Sequence, residues 1–358
     1  MQMIAMLQRF AVLLSLLLVG AALRAQTAPS VAPLGTDLRS VWHLGRVTGD
    51  LERIVQFYHE LLGLGLRGER NPNVPFYSVA AINEFVDAPP HAEFRAAFLP
   101  IPGASAATAP NEQVYLEAFE YRNIDRVQRV PAMFHPGVSS LRFVVRDLDA
   151  LLMRAKSAGV AILTAGAEPV AVPTPHGLTG TARAIVLRDP DGYPVELLEL
   201  TPTPSSYAAE SSSVLGAHTS VVVADAAASL QQYRRLIGPD AQVWERTWRT
   251  DEGFARLRNM PVAEYRTSAI ALPGTTATLE LIEFRGIEQT PHRPVFQDIG
   301  IGHVAFATRD IEAVLARMSE LGLRTISRSG TWTQINATLR AVYTRDRDGF
   351  FLEVIERP

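Results

Sequence analysis

The sequence predicts an α+β protein built from four modules, each a strand, a helix and three further strands, paired into two tandem domains. Three observations carry this prediction. A segment that reads strand, Asp, amphipathic helix recurs four times. Hydrophobic spacing switches from strand-like to helix-like at each Asp. Each repeat then closes on a β-rich stretch punctuated by Asp-Gly or Pro-Gly turn signals.

The four opening segments are His43-Leu-Gly-Arg-Val-Thr-Gly-Asp50, Ser140-Leu-Arg-Phe-Val-Val-Arg-Asp147, His218-Thr-Ser-Val-Val-Val-Ala-Asp225 and His303-Val-Ala-Phe-Ala-Thr-Arg-Asp310. After the first Asp, Leu51, Ile54, Val55, Tyr58, Leu61 and Leu62 recur at three- and four-residue spacing, which is one face of a helix. The Asp itself is expected to accept hydrogen bonds from the free N–H groups of the first turn, a capping job and not a catalytic one. Gly63, Gly159 and Gly322 follow three of the helices, and Gly238-Pro239 closes the other.

The β-rich ends fall into two kinds. Arg183 to Asp189 followed by Asp191-Gly192 and Val195 to Leu200 reads as a hairpin, as does Leu339 to Asp346 followed by Asp348-Gly349 and Phe351 to Ile355. The other two repeats turn at Pro102-Gly103 and Pro273-Gly274, and Ala92-Glu-Phe-Arg95 corresponds almost literally to Ala263-Glu-Tyr-Arg266. Repeats one and three therefore match, as do two and four. Residues 201–213, with Pro202, Pro204 and a concentration of Ser, read as a linker. Domain one is placed at 37–200, with modules of about 37–125 and 135–200, and domain two at 214–358, with modules of about 214–287 and 298–358. On this division each half should fold alone.

Residues 1–25 stand outside the repeats. Arg9, an apolar run from Phe10 to Leu18 broken only by Ser15, and small residues up to Ala25 have the order of a secretory signal peptide. The run is shorter than the roughly 20 residues of a membrane span, so no stable membrane insertion is expected after cleavage. The expectation is a periplasmic or extracellular protein. A net charge of −3 provides no basic footprint for nucleic acid. There is no cysteine, so disulfides and thiol catalysis are excluded and any metal must be held by His, Asp or Glu.

The strand, helix and three strands in pairs, with Asp189-Pro-Asp-Gly-Tyr-Pro-Val-Glu196 and the His43 and His218 strands as markers, resemble the vicinal oxygen chelate superfamily of glyoxalase I, extradiol dioxygenases and bleomycin resistance proteins. The resemblance implies glyoxalase-like domains in which paired modules form a cup. It also implies up to four metal ligands, at the start of the first strand and the middle of the last strand of each module. Mapped onto this chain, the second domain offers a complete set, His218, Glu280, His303 and Glu353. The first offers His43, Glu117 and Glu196, with Ser140 in the fourth position, a thinner site. Loss of His43 is accordingly expected to matter little to metal content.

Side-chain alternation supports these glutamates. Glu280 and Glu283 are three apart and face opposite sides of a strand, as do Glu353 and Glu356, Glu117 and Glu120, and Glu196 and Glu199. The first of each pair lies deeper in its apolar run, where a carboxylate needs a metal or cation partner. For the second, exposure near the strand end is sufficient. His91, His135, His176 and His292 are read as surface loop residues, with His135 the one substitute for the ligand missing at Ser140.

The resemblance implies one divalent ion, Zn, Ni, Co, Mn or Fe(II), polarising an oxygen of a small substrate with neighbouring oxygens, with Glu280 or Glu353 as proton carrier. Lyase or isomerase chemistry of the glyoxalase I kind fits four ligands best, although glyoxalase I requires a cytosolic thiol. Extradiol dioxygenase chemistry is second, since a fourth protein ligand takes a position its substrates need. The alternative is a non-catalytic small-molecule binding protein of the bleomycin-resistance type.

Overall fold

The computed structural model describes residues 38–67, 74–106, 113–207 and 211–357, which belong to one compact unit. The expected signal-peptide segment, residues 1–25, and residues 208–210 of the expected linker lie outside the described residues.

Four modules are present. The first contains β1 (Leu38–Thr48), α1 (Leu51–Val55, widening into a π-helical turn over Gln56–Leu61), α2 (Ala80–Phe85), β2 (Glu93–Pro100) and β3 (Tyr115–Arg122). The second contains β4 (Ser139–Val145), α3 (Leu148–Ser157), β5 (Val170–Val172), β6 (Thr181–Arg188) and β7 (Pro194–Thr201). The third contains β8 (Val214–Val222), α4 (Ala226–Ile237), β9 (Val243–Glu245), α5 (Glu252–Leu257), β10 (Glu264–Ala271) and β11 (Thr278–Arg285). The fourth contains β12 (Ile301–Thr308), α6 (Ile311–Glu320), β13 (Thr333–Asn336), β14 (Leu339–Arg345) and β15 (Phe351–Glu356). In the first module the second strand is reduced to one bridge, Tyr77 to Phe94.

The modules do not pair as neighbours along the chain. One mixed sheet runs β13-β14-β15-β12-β1-β3-β2 and joins modules four and one; the other runs β5-β6-β7-β4-β8-β11-β10-β9 and joins modules two and three. The expected division into 37–200 and 214–358 is corrected accordingly. A cut within 201–213 would separate β1 from β12, which are antiparallel neighbours, and likewise β4 from β8. The sequence symmetry that suggested sequential pairing is satisfied equally by this nested pairing, because each sheet still receives one odd and one even module.

The Asp caps hold in all four modules: Asp50, Asp147, Asp225 and Asp310 accept from the first-turn amides of Arg53, Ala150, Ala227 with Ala228, and Ala313. The second glutamate of each pair, expected only to be solvated, does more. Glu120, Glu199, Glu283 and Glu356 accept from the first helical amide of their own module, at Leu51, Leu148, Ala226 and Ile311. Each also accepts from an arginine of the adjacent strand, Arg95, Arg183, Arg266 or Arg340. A carboxylate at a helix N-terminus complements both the free amides and the dipole, so this pair of bonds pins each helix to its sheet.

Alternation along the strands divides the core. Leu44, Leu141, Phe143, Val304 and Leu352 pack with the capped helices in one continuous cluster. On the opposite face of the first sheet lie Val47, Phe94, Tyr121, Phe296, Ala305, Tyr343 and Phe351. The loops tie the two sheets together. Fully buried Arg46 of β1 donates through Nε to Asp189 in the Asp-Pro-Asp-Gly loop at 3.1 Å, and the Tyr58 hydroxyl donates to the same oxygen at 3.0 Å. At the corresponding loop of module four, Asp346 receives the hydroxyl of Tyr233 from module three at 2.8 Å, with no arginine partner among the described residues. No helix among the described residues is long and apolar enough to cross a membrane.

Candidate metal centre

The β1–β12 register sets the centre of the first sheet. His43 stands opposite Ala305, and His303 stands opposite Gly45. Directly opposed residues share a face, and so do residues two apart on one strand. Both imidazoles therefore project from the same face, each beside a residue too small to obstruct it. Glu117 lies next to Gly45 in β3, and Glu353 next to Ala305 in β15. The small residues are required: a Cβ on Gly45 would lie 1.8 Å from Cε1 of His303.

Four donors from four strands thus converge, with His43, Glu117, His303 and Glu353 all buried and their ligand atoms within 4.8 Å of one another. His43 Nε2 is 3.2 Å from Glu117 Oε2, 2.9 Å from Glu353 Oε2 and 3.1 Å from His303 Nε2. His303 Nε2 is 3.6 Å from each of the two glutamates. Metal–ligand bonds of about 2.0–2.2 Å at right to tetrahedral angles separate neighbouring ligand atoms by roughly 2.9–3.6 Å, so the spacing fits a shared divalent ion. The charge fits as well. Two carboxylates buried beside two imidazoles carry −2, which is costly in a dry site unless balanced, and a divalent cation balances it.

The surroundings hold these groups in place. The Tyr343 hydroxyl donates to Glu353 Oε2 at 2.8 Å and lies 3.0 Å from His303 Nε2; burial pushes its phenol well above the ordinary tyrosine range. Burial opposes the charge of His303, yet its bonds to Glu117 and Glu353 outweigh this and raise it, while the same histidines hold Glu353 below the usual carboxylate range. Trp42, Phe98 and Phe296 pack edge-on or tilted against the two imidazoles and keep water from their flanks.

The site residues expected from the sequence are thus divided differently. His303 and Glu353 are joined by His43 and Glu117, which had been assigned to the weaker set, while His218 and Glu280 sit in the other sheet. There Arg142 lies opposite His218 and beside Glu196, and Ser140 lies opposite Ser220. Arg142 occupies the position equivalent to Ala305, two residues beyond Ser140 and on the same face. Its guanidinium donates to Glu196 Oε1 at 2.7 Å and to Glu280 Oε2 at 2.8 Å. Burial alone would raise Glu280, but Arg142 lowers it.

His218 is not available either. Its Nδ1 accepts the Thr278 amide at 3.1 Å, which places the proton on Nε2 facing the Tyr207 hydroxyl at 3.1 Å, and burial lowers its pKa to about 3. The expected set His218, Glu280, His303 and Glu353 is therefore corrected to His43, Glu117, His303 and Glu353, and Glu280 loses its expected proton-carrying role to an ion pair. Glu196 is in the same ion pair. Among the loop histidines, His176 is corrected from surface to buried, its Nε2 2.8 Å from Thr267 Oγ1. His135 Nδ1 accepts the Thr290 amide and takes no place beside Ser140. Arg142 is the residue the sequence reading missed. Its signal was present: a basic residue in an apolar strand, on the face of the ligand position.

Four nested modules with one four-donor His/Glu centre of this kind define a class of cup-forming proteins whose cup could hold a metal ion. The chain belongs to the Glyoxalase/Bleomycin resistance protein/Dioxygenase superfamily, whose family model matches residues 40–197 and 217–354. Among solved structures it is similar to a variant of glyoxalase I from Zea mays, with a TM-score of 0.54 and 20% identity over 90% of this chain and 93% of that one. A candidate dioxygenase of Bacillus subtilis is similar with a TM-score of 0.51 and 12% identity over 90% of this chain and 86% of that one. At these identities the likeness establishes the shared fold. No curated protein matches the sequence.

Proposed function

We propose that the chain is an exported, divalent-metal-dependent enzyme acting on a small substrate with neighbouring oxygens, through the centre formed by His43, Glu117, His303 and Glu353. The convergence of two imidazoles and two carboxylates on one buried point carries this reading. A divalent cation bound there would act as a Lewis acid on a carbonyl or enolate oxygen. The chain's own groups supply the rest. Glu117 or Glu353 takes and returns a proton at a substrate carbon, and the Tyr343 hydroxyl steadies the Glu353 carboxylate. Lyase or isomerase chemistry is favoured over extradiol cleavage because four protein donors leave fewer positions for substrate and oxygen. Export rests on the order of residues 1–25.

The test is solvent deuterium exchange. The metal-loaded mature chain is incubated in D2O with a panel of small α-hydroxycarbonyl compounds, and incorporation at the hydroxyl-bearing carbon next to the carbonyl is followed by NMR. At least one compound should exchange, and Glu117→Gln or Glu353→Gln should abolish exchange. Exchange that is unchanged in both variants, or absent across the panel, would contradict proton-transfer chemistry at this centre. Sequencing of the native N-terminus should begin near Gln26, and an intact Met1 species in the cytosol would contradict export.

A further inference from the structure

The second sheet builds a cup of the same design and fills it differently. A cavity of about 680 Å³ opens over it, bordered by His176, His218, Trp244 and Arg246. Beneath is a recess of about 20 Å³ where Arg246 meets Arg142, Arg249, Glu196 and Glu280. The wider cavity is of a size that small-ligand sites commonly have.

The charges do not cancel. Arg142 is committed to Glu196 and Glu280, one guanidinium between two buried carboxylates. Arg246, Arg249 and Arg258 have no ion-pair partner among the described residues. Arg246 donates to the carbonyl of Thr174, Arg249 lies over the Tyr265 ring at 5.2 Å, and Arg258 donates once, to the carbonyl of Met133. Arg258 is 2% exposed, yet its Nε and Nη2 have no acceptor. Four guanidiniums thus surround two carboxylates, with the exposed Glu245 at the outer border. Elsewhere in the sheets, arginines beside a strand glutamate are paired with it, as Arg95, Arg183, Arg266 and Arg340 are.

Buried, unsatisfied guanidinium donors cost free energy unless an acceptor arrives. The cause is visible in the charges: burial and the neighbouring Arg249 lower the pKa of Arg246, and burial lowers that of Arg258 to about 10. Arg246 lines both cavities and Arg249 the recess, and an oxyanion is the acceptor that suits them, since guanidinium forks match carboxylate and phosphate oxygens. We propose that the second cup is a metal-free binding site for a small organic oxyanion, a carboxylate or phosphate ester. Arg246 and Arg249 hold its oxygens, and its apolar body lies along the half-buried Trp244. In this cup Arg142 takes the metal's place. The site is independent of the chemistry at the first cup.

The experiment is calorimetric titration of the full mature chain, kept metal-free with chelator so that the first cup cannot hold the anion through a cation. Benzoate, phenyl phosphate and neutral benzamide are compared. At least one anion should bind saturably at one per chain, weaken with salt, and bind about tenfold or more tightly than benzamide. Arg246→Gln and Arg249→Gln should each cost about tenfold, and Trp244→Phe should remove the accompanying fluorescence quench. The stronger of the two anions identifies the carboxylate or the phosphate source. No saturable binding of either anion, equal binding of benzamide, or anion binding unaffected in both arginine variants would overturn the proposal.

Discussion

His43 and His303 direct their Nε2 atoms at each other across the β1–β12 seam, 3.1 Å apart, although they are 260 residues apart in sequence. Two ring nitrogens at that distance can each donate a lone pair to one metal ion. The geometry requires Gly45, which lies opposite His303. Gly45→Ala should therefore push the His303 ring away and abolish most metal binding while leaving the chain folded. Metal titration alongside circular dichroism checks this, and unchanged affinity would show that the seam has slack its packing does not suggest.

The nested pairing has a direct consequence for the two halves. Residues 26–207 or 211–358 expressed alone leave β1 without β12 and β4 without β8, exposing the apolar centre of each sheet. Neither half should melt cooperatively, whereas co-expression should restore one cooperative unit. Thermal melts of each half and of the reassembled pair decide it.

Replacing Arg142 by Ala leaves Glu196 and Glu280 buried, at 1% and 5% exposure, without the cation that is hydrogen-bonded to both. Breaking a buried pair in this way costs about 3–5 kcal/mol. The triple variant Arg142→Met, Glu196→Gln, Glu280→Gln removes the charges together and should recover most of that loss. Denaturant unfolding of both variants tests the assignment of Arg142 as the charge that replaces a metal.

Asp346 sets a pH dependence. Burial, reinforced by Asp348 and opposed by the Tyr233 hydroxyl, raises its pKa from 3.8 to about 6. A carboxyl whose folded pKa is higher than its unfolded one binds more protons when folded, so stability is lost as pH rises from about 4 to 6 and is then level. The shift corresponds to about 3 kcal/mol. Asp346→Asn should flatten this slope and gain stability at pH 8, read from urea midpoints across pH 4–8. An unchanged slope would mean that another group carries it.

Much of this molecule was legible in the sequence for identifiable reasons. Capping Asp residues, turn glycines and strand alternation are local, and Asp50, Asp147, Asp225 and Asp310 do in the structure what their neighbours in sequence require. All four donors that converge in the first cup stand among the metal candidates the sequence offers. Their grouping was not legible, because which module pairs with which depends on long-range strand contacts such as Gly45 with His303, and the repeat symmetry allows more than one pairing. Arg142 was not legible because its partners Glu196 and Glu280 reach it only through strand pairings that are remote in sequence. The second glutamates were underestimated because the helix amides they receive are remote in sequence, as with Leu51 and Glu120.

The most direct test compares the metal content of three proteins: the wild-type chain from residue 26, and its His43→Ala and His218→Ala variants, each equilibrated with Ni(II) or Zn(II), desalted and measured by elemental analysis. The geometry predicts about one ion per wild-type chain, near-complete retention in His218→Ala, and loss of most metal in His43→Ala, because only His43 belongs to the four-donor centre. Loss from His218→Ala with retention in His43→Ala would contradict the nested pairing and the centre together.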